Sequence, residues 1–358
     1  METNRYRLLT INPGSTSTKL GVFDNTTEIF SGTVRHSKEE LSKFGSILEQ
    51  GDMRLKLVED MLSKNNIELS SIDAFVGRGG ILRPMESGVY SVNESMLYDL
   101  QHTKAAIHAS ALGGIFARRL GDRFGKPAFI VDPVVVDERI EVAKISGIPN
   151  EERTCVFHAL NQKSIARRYA ASVGKRYEDC NIIIAHLGGG ISVGAHTNGR
   201  VIDVNNAIDG DGPFTPERCG AVQLDRIIKM CFSGNYTEAQ MLAFTSKQGG
   251  LSAHLGTTDC IEVEERIDCG DEYATLVYNA MCYNIGKQIG AMAAALNGNV
   301  EAVILTGGLA YSELLTEKLT KMVSFIAPVH IFPGEDELGA LAEGALRVLR
   351  GEEAAKEY

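Results

Sequence analysis

Apolar residues occur in short runs separated by polar turns, and their spacing switches along the chain between the period of a strand and that of a helix. Strands are predicted at about 6–11 and 18–24, and the run E-I-F-S-G-T-V-R that follows predicts a third. Apolar residues at helical spacing predict helices over 52–65, 157–171 and 273–296. Strands that alternate with helices in this way indicate an α/β protein.

Further elements complete this pattern. A helical region is predicted from its cap Asn93 to about Leu120, with a break near Gln101-His102. The run A-F-I-V-D-P-V-V-V predicts a central buried strand interrupted by Asp132-Pro133. Turn-forming residues over 209–220 predict neither strand nor helix.

Residues 181–199, N-I-I-I-A-H-L-G-G-G-I-S-V-G-A-H-T-N-G, organise the rest of the chain. A buried strand is followed by Gly188, Gly189 and Gly190, a second apolar run, and the hairpin dipeptide Asn198-Gly199. Glycines let the backbone come close to a ligand and point N–H groups at it, and that ligand is usually an anion. A tight hairpin with no ligand is the alternative.

The same pattern stands near the N-terminus, at 8–25, L-L-T-I-N-P-G-S-T-S-T-K-L-G-V-F-D-N. Aligning Gly14 with Gly188 places Asn12 at the position of His186. Two such units half a chain apart predict a duplicated α/β domain, with a turn from each half facing a central cleft that suits a polyphosphate. Chance similarity of two hairpins is the alternative, because such units are common.

The polar segment 146–153 is the candidate linker. We predict an N-terminal domain of residues 1–153 with 335–358, and a C-terminal domain of residues 154–334. The last helix is predicted to cross back to the first domain.

Composition excludes several classes of protein. The 358 residues are enough for two domains, and 44% hydrophobic with 23% charged residues is typical of a soluble globular protein. A net charge of −10 argues against a nucleic-acid surface and against anionic membranes, so an anionic ligand must meet a local basic cluster. Seven cysteines without a C-x-x-C pair indicate reduced thiols, and a cytoplasmic protein is expected.

Two common phosphate-binding motifs are absent from the sequence: G-x-x-x-x-G-K-[ST], and G-x-G-x-x-G after a strand. P-loop kinases and Rossmann dehydrogenases are therefore disfavoured. Isolated charged residues at predicted strand ends remain as candidates to orient a polyphosphate, a metal and an acceptor: Lys19, Arg78, Asp132, His186, Arg218 and Glu337.

These motifs resemble those of the acetokinase family along the whole chain. I-N-P-G-S-T-S-T-K and A-H-L-G-G-G-I-S-V are similar to the two phosphate motifs of acetate and butyrate kinases. V-I-L-T-G-G-L resembles the nucleotide-binding strand of the wider sugar kinase, heat-shock ATPase and actin superfamily. V-F-H-A-L-N-Q-K, H-A-S-A-L-G-G, D-G-D-G-P-F-T-P-E-R and P-G-E-D-E-L are similar to butyrate kinases in particular. Gly189 stands where acetate kinases typically have asparagine, so that residue's role is not transferred.

The resemblance implies two ribonuclease H-like (actin-like ATPase) domains with an interdomain cleft, the acyl substrate on the N-terminal side and the nucleotide on the C-terminal side. It implies reversible phosphoryl transfer from ATP to butyrate or a branched C4–C5 acid, with ADP as product and Mg²⁺ as cofactor. Acetate or propionate is the alternative substrate. Small carboxylates and nucleotides are the expected partners, without nucleic acid or membrane, and a homo-oligomer (dimer or higher) is expected.

The catalytic residues implied by the resemblance are cationic. A substrate carboxylate is already ionised at pH 7, so the transfer needs positioned charge and N–H groups and not a general base. Arg78 and Arg218 match the family's two arginines and are expected to hold the carboxylate and the transferring phosphoryl group. His158 and His186 are expected to donate hydrogen bonds to phosphoryl oxygens. Mobile surface arginines and lone core histidines are the alternatives.

The nucleotide and metal sites follow from the same motifs. The phosphate turns and the adenosine strand are expected to use Asn12, Ser15, Ser17, Lys19, Gly188, Gly189, Gly190, Thr306, Gly307 and Gly308. Asp132 is assigned to catalysis and, with Glu337, to Mg²⁺ through waters, because a buried carboxylate is costly without a cation nearby. The alternatives are a turn-forming Asp132-Pro133 and a first-turn Glu337 that favours its helix dipole.

The predicted acyl site comprises Arg78, Gly80, Ile81, His108 and Phe157. Acetate kinases tend to carry bulkier residues after the matching arginine, so the missing side chains of Gly79 and Gly80 predict room for extra methylenes. For His108, helix packing is the alternative.

Two other functional classes stay open. A heat-shock or actin-like ATPase would normally bring extra segments, and a sugar kinase needs an aspartate base, for which Asp132 is the one candidate. Closure of the domains over the nucleotide is expected, because water in the cleft would hydrolyse ATP.

Overall fold

A computed structural model describes residues 5–103 and 108–358. The chain divides into two compact units, Met1–Val136 together with Asp336–Tyr358, and Asp137–Glu335. The linker candidate 146–153 lies within the second unit. The assignment of an acyl side and a nucleotide side stays a prediction.

Strands and helices occur where the long apolar patterns predict them. In chain order the strands are β1 Arg7–Pro13, β2 Ser17–Asp24, β3 Thr27–Arg35, β4 Ala74–Gly77, β5 Val89–Ser91, β6 Ala128–Val131, β7 Ile182–Leu187, β8 Ile191–Thr197, β9 Arg200–Val204, β10 Ala302–Gly307 and β11 Val329–Pro333.

The helices are α1 Lys38–Leu41, α2 Gly51–Lys64, α3 Glu94–His102, α4 Ala111–Phe124, α5 Glu141–Lys144, α6 Ala159–Ser172, α7 Leu224–Cys231, α8 Glu238–Ser246, α9 Gly250–Leu255, α10 Cys260–Asp268, α11 Glu272–Ala295, α12 Glu313–Val323 and α13 Glu337–Leu349. Asn93 caps α3 as predicted, its side chain accepting from the N–H of Met96. The predicted helical region continues into residues 104–107, which lie outside the described residues.

The first unit contains a six-stranded sheet in the order β3-β2-β1-β4-β6-β5. β1, β2 and β3 are antiparallel neighbours, whereas β4 runs parallel to β1 and β6 parallel to β4. β5 pairs antiparallel with β6. Since β1 and β4 are parallel and Ile11 pairs with Gly77, the following residues Asn12 and Arg78 lie at one edge of the sheet.

The second unit repeats this arrangement in a five-stranded sheet of order β11-β10-β7-β8-β9. As in the first unit, the first three strands along the chain, β7, β8 and β9, are antiparallel neighbours. β10 then lies parallel to β7, and β11 lies parallel to β10. The shared order confirms the predicted duplicated α/β architecture. Asn198 and Gly199 join β8 to β9 with φ of 51° and 72°, which is the left-handed geometry of the predicted two-residue hairpin turn.

Strand β7 is buried on both of its faces. Ile183, Ala185 and Leu187 belong to the core that includes α11, and Ile182 and Ile184 to the core that includes α6. His186 shares the alternating face of Ile182 and Ile184, so the period of the strand directs its side chain towards α6.

The predicted strand through Asp132-Pro133 is corrected at its second half. The strand ends at Val131, and Val136 donates to the carbonyl of Pro133 in a turn. Asp132 has a φ of 38°, and Pro133 has no N–H with which to continue the ladder.

The Ala- and Gly-rich face of α11 is partly core, because a Cβ on Gly286 would collide with the sulfur of Met322 in α12. Within residues 5–103 and 108–358, no helix combines the length and apolar character needed to cross a membrane.

Candidate active site

The turn Gly188–Gly190, between β7 and β8, is tied to the irregular segment 209–220 of the second unit. The N–H of Gly188 donates to the carbonyl of Gly190 at 3.1 Å. The hydroxyl of Thr215 donates to the carbonyl of Gly189 at 2.6 Å and also accepts from the N–H of Arg218 at 3.0 Å. The turn and Arg218 are therefore held by one threonine.

Side chains surround this turn, and those of Arg218 and His158 leave little space for a Cβ at Gly190. A Cβ on Gly190 would collide with the guanidinium of Arg218 and would lie 3.3 Å from Cε1 of His158. A Cβ on Gly188 would lie 3.4 Å from Nε2 of His186. The structure thus brings the predicted Arg218, His158 and His186 together at the second glycine turn.

The two histidines form a stacked pair. Their ring centroids are 3.7 Å apart and the ring planes differ by 10°. Nδ1 of His158 is 2.9 Å from the hydroxyl of Ser192, and Nδ1 of His186 is 2.9 Å from Oδ1 of Asn161. These contacts at Nδ1 fix the orientation of each ring, and Nε2 of His186 lies 3.0 Å from the carboxylate of Glu335.

Helix α6 carries His158 and the partner of His186, and it is anchored by a buried ion pair. His158 is its N-cap residue and Asn161 lies in its first turn. One turn further on, Nζ of Lys163 is 2.5 Å from Oε2 of Glu138, with side chains 1% and 8% exposed. Lys163 also donates to the carbonyl of Gly199, and Glu138 accepts from the N–H of Val201, so the pair joins α6 to the β8–β9 hairpin.

Arg218 has both satisfied and unsatisfied donors. Its Nη1 donates to the carbonyl of Ala207, and Nη2 lies 3.4 Å from the Glu217 carboxylate. Burial lowers the pKa of the Arg218 guanidinium, opposed by the nearby carboxylates of Glu217 and Asp209. Within the described residues its Nε is buried and has no hydrogen-bond partner, and the same is true of Nε of Arg78. Buried donors without a partner are uncommon and are suited to an incoming anion.

The predicted adenosine strand lies beside the same turn, since Thr306 pairs in register with His186 across β10 and β7. Gly307 has a φ of 90°, and a Cβ there would collide with the backbone of Leu187. Around Gly308 there is no atom within 4 Å of a Cβ among the described residues. The backbone of β7 thus accounts for Gly307, and contact of Thr306, Gly307 and Gly308 with a purine stays a prediction.

The first glycine turn, in the first unit, is shaped by an arginine that the sequence motifs did not single out. Arg54 of α2 is 1% exposed and donates to the carbonyls of Gly14 and Ser15 at 2.7 and 2.9 Å. Burial lowers the pKa of this guanidinium. Ser15 and Lys19 are exposed and Ser17 is half-buried, so their side chains are accessible at the turn.

Arg78 begins the loop after β4 and contacts a carboxylate. Its N–H donates to the carbonyl of Ile11 at 2.9 Å, and Nη1 contacts Oε1 of Glu337. The other Glu337 oxygen accepts from the amide of Asn12. Asn12, Arg78 and Glu337 are thus brought together within the first unit, with Arg78 11% exposed.

The predicted Mg²⁺ ligands are already engaged with protein donors. Asp132 is 1% exposed, and its Oδ1 accepts from the hydroxyl of Ser87 at 2.6 Å and the N–H of Gly88 at 2.8 Å. These bonds lower the cost of burying Oδ1. Outside residues 1–4 and 104–107, no group of three or more His, Cys, Asp or Glu residues is arranged to hold a metal ion. Contact of Asp132 and Glu337 with Mg²⁺ through waters stays a prediction.

The prediction that Gly79 and Gly80 leave space for extra methylenes of the acyl group is wrong. A Cβ on Gly80 would lie 2.8 Å from Cα of Ala111 in α4, and one on Gly79 would lie 2.7 Å from Cβ of Pro133. The protein itself fills the space of both missing side chains, and these glycines permit close packing of α4 and the Asp132-Pro133 turn.

The remaining predicted acyl residues differ in exposure. Ile81 is half-buried. His108 is exposed just before α4, and its Nδ1 is 3.0 Å from the hydroxyl of Ser110. Phe157 is buried in the second unit, directly before His158. Their contact with a substrate stays a prediction.

Several site residues were missed by sequence reasoning. Asn161 follows His158 by three positions, a spacing that places both on one face of a helix and that was available in the sequence. Arg54 interrupts the apolar face of α2, where buried neighbours Leu55, Val58 and Leu62 lie. Glu335 has no comparable signal, because its contact with His186 depends on the order of the strands.

Comparisons with known proteins bear on the fold and on the sequence pattern of the second unit. Residues 150–326 match the sequence model of the acetokinase family, a segment that contains His158, His186, the second glycine turn and Arg218. Acetate kinase from Porphyromonas gingivalis superposes with a TM-score of 0.80 at 19% identity, covering 96% of this chain and 100% of that chain.

Two further crystal structures give similar results. Acetate kinase from Entamoeba histolytica superposes with a TM-score of 0.76 at 17% identity, over 94% of this chain and 98% of that one. A propionate kinase from Francisella tularensis subsp. tularensis SCHU S4 gives 0.75 at 16% identity, over 95% and 98%. The chain therefore has the fold of the acetate kinases, and its residues 150–326 carry the sequence pattern of the acetokinase family.

Proposed function

We propose that this protein is a short-chain fatty acid kinase, which transfers the terminal phosphoryl group of ATP to a carboxylate and yields an acyl phosphate and ADP. The observation that carries the proposal is the convergence of Arg218, His158 and His186 on the Gly188–Gly190 turn. The acetokinase-family match over 150–326 supports the same chemistry.

The transfer needs no proton to be removed. A carboxylate oxygen of the substrate forms a bond to the γ-phosphorus while the bond from that phosphorus to the β–γ bridging oxygen breaks, and ADP leaves with the electron pair. Charge spreads over the oxygens of the transferring group. Nε of Arg218, Nε2 of the two histidines and the N–H groups of the turn are the donors proposed to stabilise it.

Arg78 is proposed to hold the substrate carboxylate. Support comes from the contact between Arg78 and the carboxylate of Glu337, because a substrate carboxylate offers the same kind of acceptor oxygen. Asn12, Ser15, Ser17 and Lys19 are proposed to face the phosphates, and Thr306, Gly307 and Gly308 the adenosine. When bound, Mg²⁺ would neutralise part of the phosphate charge, and Asp132 and Glu337 are proposed to meet it through waters.

The test of this function is acid-dependent production of ADP. With ATP, Mg²⁺ and butyrate, we expect ADP to form together with an acyl phosphate that hydroxylamine traps as a hydroxamate. Without the acid, both products should be lost. Equal ADP production with and without acid would instead favour an ATPase of the same superfamily.

Within this class we propose butyrate or a branched C4–C5 acid as the substrate, with acetate or propionate as the alternative. Support comes from the four motifs that are similar to those of butyrate kinases. Pocket size gives no support, because Pro133 and Ala111 fill the space beside Gly79 and Gly80. We expect kcat/KM for butyrate or isobutyrate to exceed that for acetate by about tenfold or more. Parallel measurements with acetate, propionate, butyrate, isobutyrate and isovalerate decide it, and an acetate preference contradicts the proposal.

A homo-oligomer is also proposed. Its support is the apolar exposure around α7, where Leu224 and Ile228 are exposed and Phe232 is 87% exposed. Light scattering on the purified protein measures the state directly.

A further inference from the structure

Glu335 contacts the proposed phosphate site and has no role in the proposed function. Its Oε1 is 3.0 Å from Nε2 of His186. Because Nδ1 of the same ring faces Asn161 at 2.9 Å, the imidazole is held at both nitrogens. The Nε2 atom that is proposed to meet a phosphoryl oxygen already faces a carboxylate oxygen.

Sheet order places Glu335 at this position. It follows β11, and Gly334 exchanges backbone hydrogen bonds with Gly307 at 2.9 and 3.2 Å. Thr306, the neighbour of Gly307, pairs in register with His186. A Cβ on Gly188 would lie 3.5 Å from Oε1 of Glu335, so the carboxylate is at the glycine turn itself.

The two partners differ in their freedom to move. The His186 side chain is 2% exposed and packed against His158, whereas Glu335 is 37% exposed. An arriving anion can therefore displace the glutamate side chain towards solvent without moving the ring. Nε2 donates to a carboxylate or a phosphate oxygen when the ring is protonated, or when the Asn161 amide turns its NH2 group towards Nδ1. Both oxygens are then acceptors of the same kind.

The two arginines that are proposed to bind anions show a similar relation, each within its own unit. Arg78 contacts Glu337, and Arg218 lies 3.4 Å from Glu217. Each donor is thus kept in place by a neighbouring carboxylate, which also repels a second anion at close distance.

We propose that Glu335 is a positioning residue that orients His186 in the ligand-free protein and is displaced from Nε2 by a phosphate oxygen of the nucleotide. The inference rests on the proposed function for the identity of the anion. It implies that the charge of Glu335 opposes anion binding, while its contact with Nε2 keeps the His186 ring in the orientation that binds the anion.

The experiment is calorimetric titration of the full chain and of Glu335→Gln with ADP and, separately, with inorganic pyrophosphate. Glutamine keeps the size of the side chain and removes the charge, so both ligands should bind about fivefold more tightly to the variant. In turnover, KM for ATP should fall without a rise in kcat. A purely structural role predicts the opposite direction, since a disturbed ring binds less well.

Glu301→Gln is the matched control. Glu301 precedes β10 of the same sheet, and its Oε2 is 2.6 Å from Nζ of Lys175. Removal of the Glu301 charge should leave the affinities for ADP and for pyrophosphate unchanged. Glu335→Ala, whose folding is checked by its Tm, removes the orienting contact together with the charge, so its gain in affinity should be smaller than that of Glu335→Gln. Equal, weaker or absent binding in the folded variants overturns the inference. Because these titrations need no acid substrate, they remain decisive if the acid-dependent assay fails.

Discussion

Replacing Arg218 by alanine is expected to lower kcat by about a hundredfold or more, because it removes the guanidinium that meets the glycine turn. Nε of Arg218 is a buried donor with no partner among the described residues, and the loss should therefore fall on the transferring group and not on the fold. The hydrogen bond to the carbonyl of Ala207 is lost as well, which should cost about 1 kcal/mol of stability. Coupled measurement of ADP production and of Tm separates the two effects.

Two further variants sharpen this prediction. Arg218→Lys keeps the charge but loses the planar fork, and should recover a minor part of the activity. Arg226→Ala removes an exposed arginine of α7, 67% exposed and 3.9 Å from Asp225, and should leave kcat unchanged. Retention of more than about a tenth of kcat in a folded Arg218→Ala would remove Arg218 from the catalytic site.

Lys163→Met is expected to lower the free energy of unfolding by about 3–5 kcal/mol. The substitution removes the ammonium group that contacts the buried Glu138 carboxylate and that donates to the carbonyl of Gly199. Helix α6 carries His158 and Asn161, so activity should fall with stability. Urea unfolding followed by circular dichroism measures the free energy.

The surface pair Lys175–Glu301 provides the comparison. Its side chains are 45% and 29% exposed, and Lys175→Met should cost no more than about 1 kcal/mol. Adding Glu138→Gln to Lys163→Met should restore part of the loss, because glutamine removes the buried charge that faced Lys163 and still accepts from Val201. A loss below about 1 kcal/mol for Lys163→Met alone would contradict the account of this ion pair.

The sequence was sufficient to predict the repeated unit and much of the second site. Periodicity predicts β7 and β8, and the structure places Arg218 and His158 against the glycines between them, whereas the predicted approach of an anion to these glycines stays a prediction. At Gly79 and Gly80, in contrast, the prediction of space for a substrate is wrong. A glycine signals only that something lies close, and here the neighbours are Pro133 and Ala111 and not a ligand.

Contacts between distant segments were beyond sequence reasoning for a physical reason. Glu335 meets His186 because β11, β10 and β7 are neighbours in the sheet, and strand order is not encoded in local spacing. Asp132 illustrates a related limit, since the donors that accompany its burial are Ser87 and Gly88 from another segment. A buried carboxylate can be inferred from an apolar run, but its partners cannot.

Strand β7 is buried along its length on both faces, and β8 along nearly all of it, so the turn that joins them takes its shape when the sheet forms. The backbone of this turn, with its N–H groups, therefore loses its conformational entropy during folding. A phosphate that binds there does not have to order them again, and preorganisation of this kind raises affinity without adding a contact. Substitutions that loosen β7 should therefore weaken nucleotide binding even where they touch no ligand atom.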